Sequence, residues 1–202
     1  MNSEDPRIVY FDSLAATWDE QEPSSRTMTS RLAQHADLLA LRPDQRLLEV
    51  GCGTGKTTAW LAEQVAPGRV TAIDFAPEMV ARARAKGIDA DFARADVCRD
   101  DLGDSLYDVI LCFHSFPHFR DQGAALRRFA KALKPDGRLI VMHIFGSAHL
   151  NRFHAGLDGP VNVDRLPVDD QWRPLLTDAG FEQGTLIDTE ALFFLDAVRA
   201  HR

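Results

Sequence analysis

The chain has 202 residues, of which 45% are hydrophobic and 26% charged, and its formal net charge is −7 at pH 7. This composition excludes disorder as the main state and predicts one domain with a sizeable core. The negative charge argues against nucleic acid as a partner, because phosphate neutralisation needs a clustered excess of Lys and Arg.

Cysteine use and hydropathy predict a cytoplasmic protein. Cys52, Cys98 and Cys112 are widely spaced and form no CxxC pair, which favours a reducing compartment. The first residues lack a secretory signal, and no run approaches the roughly 18–20 apolar residues that span a bilayer. We expect no membrane partner, and the sequence is compatible with a monomer or a homodimer.

Short β-rich runs alternate with helical patterns along the chain. Strands are predicted over residues 46–50, 69–74, 88–94, 107–113 and 138–143, and helices over 57–65, 77–86, 123–133 and 169–179. Two further β-like runs, 181–188 and 192–198, have a short connection, which predicts an antiparallel hairpin at one edge. This order predicts a doubly wound, Rossmann-like α/β fold with a mostly parallel seven-stranded sheet. In such sheets ligands bind at the C-terminal ends of the strands.

The most informative stretch is LLEVGCGTGKT, where the first strand ends. A phosphate-binding loop needs its first glycine where Val50 stands, and a dinucleotide fingerprint needs its third glycine where Lys56 stands. A third pattern has Glu49 followed by alternating glycines at 51, 53 and 55. It brings bare backbone close to a ligand without phosphate while the carboxylate attracts a cationic group. A sulfonium amino acid joined to a nucleoside has both properties.

These residues resemble the class I S-adenosylmethionine-dependent methyltransferases over about residues 10–180. The stretches AIDFAPEM (72–79), ARADV (93–97) and LKPDGRLIV (133–141) match further motifs in order. The resemblance implies S-adenosyl-L-methionine as cofactor, with Asp74 on the ribose hydroxyls, Asp96 on the adenine amine and Phe75 on an adenine face. The cofactor-binding residues that it implies are Glu49, Gly51, Cys52, Gly53, Asp74, Phe75, Met79, Asp96, Val97 and Phe113.

Two segments are expected beside the bound molecules. Residues 1–40 look helical and resemble the family's N-terminal lid over the cofactor, although Trp18 is equally well interpreted as a core residue. Residues 146–167 are rich in glycine and proline and predict a loop that caps the acceptor site.

Five of the seven histidines lie between residues 114 and 154. His114, His118 and His143 follow or close neighbouring strands, so they are candidate catalytic residues beside the methyl acceptor. A neutral imidazole there could take the acceptor's proton. Alternatively, these three histidines and His154 could bind a divalent metal. A histidine that only packs near the cofactor is the structural alternative.

The sequence thus predicts a methyltransferase with a small-molecule acceptor. No Asn-Pro-Pro-Tyr type of motif follows the fourth strand, where FHSFP (113–117) stands instead, so methylation of bases or glutamine is not favoured. The alternatives are an NAD(P)-dependent oxidoreductase and a non-catalytic nucleoside- or metal-sensing module on the same fold. The acceptor atom is left open.

Overall fold

The computed structural model describes residues 5–20 and 24–200. Cα positions divide the chain into two compact units, Met1–Ala95 and Asp96–Arg202, here called the first and the second unit. The expectation of a single domain over residues 1–202 stays a prediction.

The first unit combines helices with three parallel strands. Its elements are α1 (Pro6–Ala15), α2 (Ser25–Ala33), α3 (Ala36–Leu39), β1 (Arg46–Val50), α4 (Thr58–Val65), β2 (Arg69–Asp74), α5 (Pro77–Ala85) and β3 (Asp91–Arg94). The strand order is β3-β2-β1. Val50 pairs with Ile73 and Asp74 pairs with Arg94, so the C-terminal ends of the three strands lie at one edge. Helix α5 begins at Pro77, whose missing N–H costs nothing in a first turn.

The second unit contains four strands and ends in an antiparallel hairpin. Its elements are β4 (Tyr107–Phe113), α6 (Gln122–Ala132), β5 (Leu133–His143), α7 (Ser147–Ala155), α8 (Trp172–Ala179), β6 (Phe181–Asp188) and β7 (Phe193–Arg199), with 3-10 turns at Phe116–His118, Pro160–Val163 and Asp169–Gln171. The strand order is β4-β5-β7-β6. Strand β4 is parallel to β5, whereas β7 is antiparallel to both β5 and β6. The predicted mostly parallel, seven-stranded α/β architecture with an antiparallel edge hairpin is confirmed.

Two segments differ from the sequence-based expectation. The loop expected over 146–167 is wrong for its first part, because α7 occupies Ser147–Ala155. Glycines flank this helix and none lies inside it, so nothing interrupts its hydrogen bonds. Strand β5 begins at Leu133 instead of residue 138, since Leu133 pairs with Tyr107 before the register shifts. Among the helices that the structure describes, none has the length and apolar composition needed to cross a bilayer.

Candidate functional site

A turn with three glycines follows β1 in the first unit. Gly51, Gly53 and Gly55 have φ angles of 74°, 53° and 75°, a left-handed region that is costly for residues with a Cβ. The N–H groups of Gly51 and Cys52 donate to the carbonyl of Ile73 at 2.8 and 3.0 Å. The turn is therefore attached to β2, and its three glycines leave the backbone uncovered by side chains of their own.

The carboxylate of Asp74 holds this glycine turn in place. Its Oδ2 accepts from the N–H of Gly53 at 2.9 Å, and its Oδ1 accepts from the N–H of Ala76 at 2.9 Å. Asp74 is buried, and hydrogen bonds to a charged group are the stronger class. Each carboxylate oxygen can accept more than one hydrogen bond. The ribose contact expected for Asp74 is compatible with this role and stays a prediction.

Glu49 is buried at the end of β1 and bonded to the start of α4. Its Oε1 accepts from the Thr57 hydroxyl at 2.7 Å, and its Oε2 accepts from the Thr58 hydroxyl at 2.6 Å. The pKa of Glu49 is raised to about 7, chiefly by burial. The two hydroxyl bonds lower this pKa, and the negative charge of Asp74 raises it. The sequence pattern did not reveal this anchoring role. Attraction of a cationic ligand by Glu49 stays a prediction.

The segment around Trp18 lies over the glycine turn within the first unit. A Cβ placed on Gly53 would lie 3.5 Å from Nε1 of Trp18. The Thr54 hydroxyl donates to Asp19 Oδ1 at 2.5 Å, and Lys86 Nζ lies 2.8 Å from Asp19 Oδ2. Part of the predicted lid therefore contacts the turn. Residues 1–4 and 21–23 of that segment lie outside the described residues, and closure over a bound cofactor stays a prediction.

The other cofactor candidates of the first unit are apolar or buried. The ring of Phe75 packs against that of Phe11, with centroids 5.8 Å apart. Met79 is 1% exposed and belongs to a small core cluster with Ala15. Burial raises the pKa of the Cys52 thiol well above its usual value. Cofactor contacts of these side chains stay predictions, and Met79 already has a packing role.

Three further cofactor candidates lie in the second unit. Oδ1 of Asp96 accepts from the N–H of Cys98 at 2.8 Å, and its Oδ2 accepts from the guanidinium of Arg120 at 3.2 Å. Val97 and Phe113 are buried. The turn and the ion pair fix the direction of the Asp96 carboxylate, and its predicted contact with adenine stays a prediction.

His114 and His143 meet where β4 and β5 end, with ring centroids 5.0 Å apart. His114 has a φ angle of 57°, which is uncommon for a residue other than glycine. Its Nε2 accepts from the N–H of Ile144 at 3.3 Å. A ring nitrogen that accepts carries no proton, so the proton of neutral His114 is on Nδ1.

His118 and His154 form a second pair, with ring centroids 5.0 Å apart. Nδ1 of His118 lies 2.7 Å from Oδ2 of Asp164, and Nδ1 of His154 lies 3.2 Å from the backbone carbonyl of Asp164. Asp164 is only 3% exposed, and low local polarity strengthens the bond to His118. No motif singled out Asp164, which stands 46 residues beyond His118 in the chain.

His143 is the exception in this group of histidines. Both of its ring nitrogens are buried, and neither has a hydrogen-bond partner among residues 5–20 and 24–200. Burial, followed by the neighbouring His114, His118 and His154, holds the pKa of His143 well below its usual value. The ring is therefore neutral at pH 7. An unpaired buried donor or acceptor costs roughly 1–3 kcal/mol.

The metal predicted for His114, His118, His143 and His154 gains no support from this arrangement. Within the described part of the chain, no three His, Cys, Asp or Glu side chains are grouped so that they could hold a metal ion.

Comparisons with known proteins identify the family. A family model described as a methyltransferase domain matches residues 48–141. Malonyl-[acyl-carrier protein] O-methyltransferase of Acetivibrio thermocellus is 29% identical over 170 residues, 82% of this chain and 58% of that protein. Phosphoethanolamine N-methyltransferase 3 of Arabidopsis thaliana is 33% identical over 158 residues, 74% of this chain and 31% of that protein. A solved SAM-dependent methyltransferase from Aquifex aeolicus shares the fold, with a TM-score of 0.74 at 21% identity over 94% of this chain and 98% of that one.

The chain belongs to the class I S-adenosylmethionine-dependent methyltransferases. The matched residues 48–141 include the glycine turn and most of β5. The family model that matches describes a methyltransferase domain, not the oxidoreductase that the sequence left as an alternative. The chain spans less than two thirds of the length of both curated relatives, and the names of these relatives specify different acceptors.

The glycine turn of this methyltransferase fits the family's cofactor chemically. Two buried carboxyl groups, Glu49 and Asp74, flank it, and they interact electrostatically with each other. A pyrophosphate would add negative charge beside them, whereas a sulfonium compound with an ammonium group adds positive charge. Gly53 has no side chain of its own, and the indole nitrogen of Trp18 lies beside it, 3.5 Å from where a Cβ would stand.

The raised pKa of Glu49 makes stability depend on pH. The usual pKa of a glutamate is 4.5, and that of Glu49 in the folded chain is about 7. At pH values between these two, the folded chain holds a proton on Glu49 that the unfolded chain has released. Stability of the ligand-free protein should therefore fall by about 3 kcal/mol as pH rises through this window. Glu49→Gln removes this dependence. Urea unfolding at pH 5 and pH 7.5 measures it, with exposed Glu63→Gln on α4 as the control. If the free energy of unfolding falls equally with pH in the wild type and in Glu49→Gln, Glu49 is not the cause.

Loss of the Asp74 carboxylate should weaken cofactor binding. In Asp74→Ala the N–H groups of Gly53 and Ala76 lose their acceptor, which should cost about 1–3 kcal/mol of stability while the fold persists. Affinity for S-adenosylhomocysteine should fall by about tenfold or more. Calorimetry measures this affinity, and Asp89→Ala, at an exposed ion pair with Arg69, should leave it unchanged. An unchanged affinity in Asp74→Ala would remove Asp74 from the cofactor site.

Proposed function

We propose that this chain transfers a methyl group from S-adenosylmethionine to a small-molecule acceptor, and that His118, held by Asp164, takes the acceptor's proton. The observation that carries this proposal is the contact of 2.7 Å between Nδ1 of His118 and the buried carboxylate of Asp164. His114 and His143 line the same acceptor site. The chain's family supports the type of reaction, and the histidine group supports the place of the acceptor.

The first unit supplies donor-binding residues. The glycine turn offers backbone N–H groups and close approach, while Asp74 and Glu49 favour a positively charged ligand. The remaining residues proposed to hold the donor are Gly51, Cys52, Gly53, Phe75 and Met79 of the first unit. The resemblance to the family adds Asp96, Val97 and Phe113, which belong to the second unit. S-adenosylmethionine, when bound, supplies a methyl group on a positively charged sulfur.

The Asp164 carboxylate prepares His118 as a proton acceptor. It can only accept hydrogen bonds when ionised, so the bond to Nδ1 places the ring proton there and leaves the lone pair on Nε2. A base with this orientation assists an acceptor that must lose a proton during transfer. Alignment of donor and acceptor with water excluded supplies much of the remaining acceleration.

We also propose a cytoplasmic location, with a monomer or a homodimer as the working state. All three cysteines are free and buried, which suits a reducing compartment. Charge supports the absence of a nucleic-acid partner, since the chain carries −7 at pH 7.

Conservative variants of the His118–Asp164 pair test the proposed base. His118→Gln should lower kcat by about 10²–10⁴-fold, because a glutamine cannot take a proton. Asp164→Asn should also lower kcat while KM for S-adenosylmethionine stays unchanged. Transfer of radiolabelled methyl to a panel of small alcohols, phenols and amines measures both, and exposed Asp178→Asn on α8 is the control. Binding of S-adenosylhomocysteine without transfer to any acceptor would favour the non-catalytic sensing module.

Elemental analysis of the purified protein tests the metal role. Because the described histidines form no coordinating group, the expected content of Zn, Ni, Co, Fe or Mn is far below one ion per chain, and activity should survive a chelator. A stoichiometric metal that disappears in His118→Gln would replace the proton-acceptor role with coordination.

A further inference from the structure

His143 has a side chain that the fold itself does not use. It closes β5, pairs in register with Phe193 of β7 and is 1% exposed. Its ring packs between those of His114 and Phe193, with centroids 5.0 and 6.2 Å away. Neither ring nitrogen has a hydrogen-bond partner in the described part of the chain. A neutral imidazole has one N–H to donate and one lone pair to offer.

Packing alone would favour a different residue at this position. The preceding residues Val141 and Met142 are apolar and fully buried, as is Phe193. A phenylalanine would fill the space of the ring without an unpaired donor and acceptor. Buried polar groups in native proteins nearly always have partners, so an unpaired one calls for an explanation.

A second unusual feature lies beside this ring. His114 holds a left-handed backbone conformation with a φ angle of 57°, and such conformations cluster at functional sites. Its Nε2 already accepts from Ile144, so it is oriented by the backbone. Each of these two adjacent histidines therefore lowers the stability of the fold. His114 does so through its backbone conformation, and His143 through its unpaired ring nitrogens.

We infer that His143 binds the methyl acceptor, and that the acceptor is a neutral small molecule with a hydroxyl group. This inference rests on the proposed function. A hydroxyl has one donor and acceptor lone pairs, so it can pair with either ring nitrogen of a neutral histidine. A carboxylate or phosphate would instead need a cation beside it. An ammonium group would need an anion, and the Asp164 carboxylate beside these histidines already pairs with His118.

Replacement of His143 separates a ligand-binding role from a structural one. His143→Phe should raise the melting temperature of the ligand-free protein by about 3 °C or more, because it removes unpaired polar groups from the interior. Affinity for S-adenosylhomocysteine should be unchanged. The exposed His149 gives a matched control, and His149→Phe should leave the melting temperature nearly unchanged. A lower melting temperature of His143→Phe would show that the ring has a structural partner and would overturn the inference.

Ligand class is tested by side-chain ¹⁵N NMR of histidine-labelled protein saturated with S-adenosylhomocysteine. The His143 nitrogens are assigned by their absence in His143→Phe. Ethanol, cyclohexanol and p-cresol cover three sizes of neutral hydroxyl compound, and benzoate and benzylamine supply an anion and a cation. At least one hydroxyl compound should shift a His143 nitrogen, and the two ions should not. A response to benzoate or benzylamine alone, or no response to any hydroxyl compound, overturns the inference.

This experiment also distinguishes failure of the inference from failure of the proposed function. If S-adenosylhomocysteine does not bind, the proposed function fails at its donor. If it binds and no hydroxyl compound shifts a His143 nitrogen signal, only the inference about His143 fails.

Discussion

The candidate site depends on two buried carboxyl groups that fix one glycine turn. The backbone is left-handed at Gly51, Gly53 and Gly55, and these three residues have no side chains to restrain it. Asp74 supplies the missing restraint by accepting from the backbone on both sides of its own position. Glu49 joins the end of β1 to the first turn of α4 through two hydroxyl groups. These bonds add to the backbone bonds from Gly51 and Cys52 to Ile73 and restrain the turn further.

The same arrangement has an electrostatic consequence. Burial disfavours the ionised form of Glu49, and the negative charge of Asp74 disfavours it further. A positive charge bound nearby would therefore make Glu49 easier to ionise. A cofactor bound here, as proposed, would be linked to the proton on Glu49, because a ligand that stabilises the carboxylate also promotes loss of that proton. A dinucleotide or nucleoside triphosphate would act in the opposite direction. The carboxyl groups thus shape the turn, and a further negative charge next to it is unfavourable.

Strand positions and the turn were predictable, because short-range signals define them. Strands β1, β2, β4 and β6 have the predicted bounds. The first three are runs rich in apolar and β-branched residues, which is the local signal for a buried strand. Helix α7 was missed because its nearby glycines and prolines suggested a loop, although they flank the helix. Asp164 could not be found in this way, since its pairing with His118 spans 46 residues. Thr57 ends the GKT run that a phosphate-binding loop also contains, and only the fold shows that Thr57 and the adjacent Thr58 bond to Glu49.

Environment, not residue type, distinguishes the histidines of the second unit. His118 has the Asp164 carboxylate on one ring nitrogen, and this contact orients the ring. His143 has no such partner and is surrounded by other histidines, so a proton there would be both desolvated and repelled. One ring is therefore suited to accept a proton and the other to stay neutral. These two environments suit the proposed hydroxyl acceptor, for which one ring would take the hydrogen and the other would hold the oxygen without competing for that hydrogen.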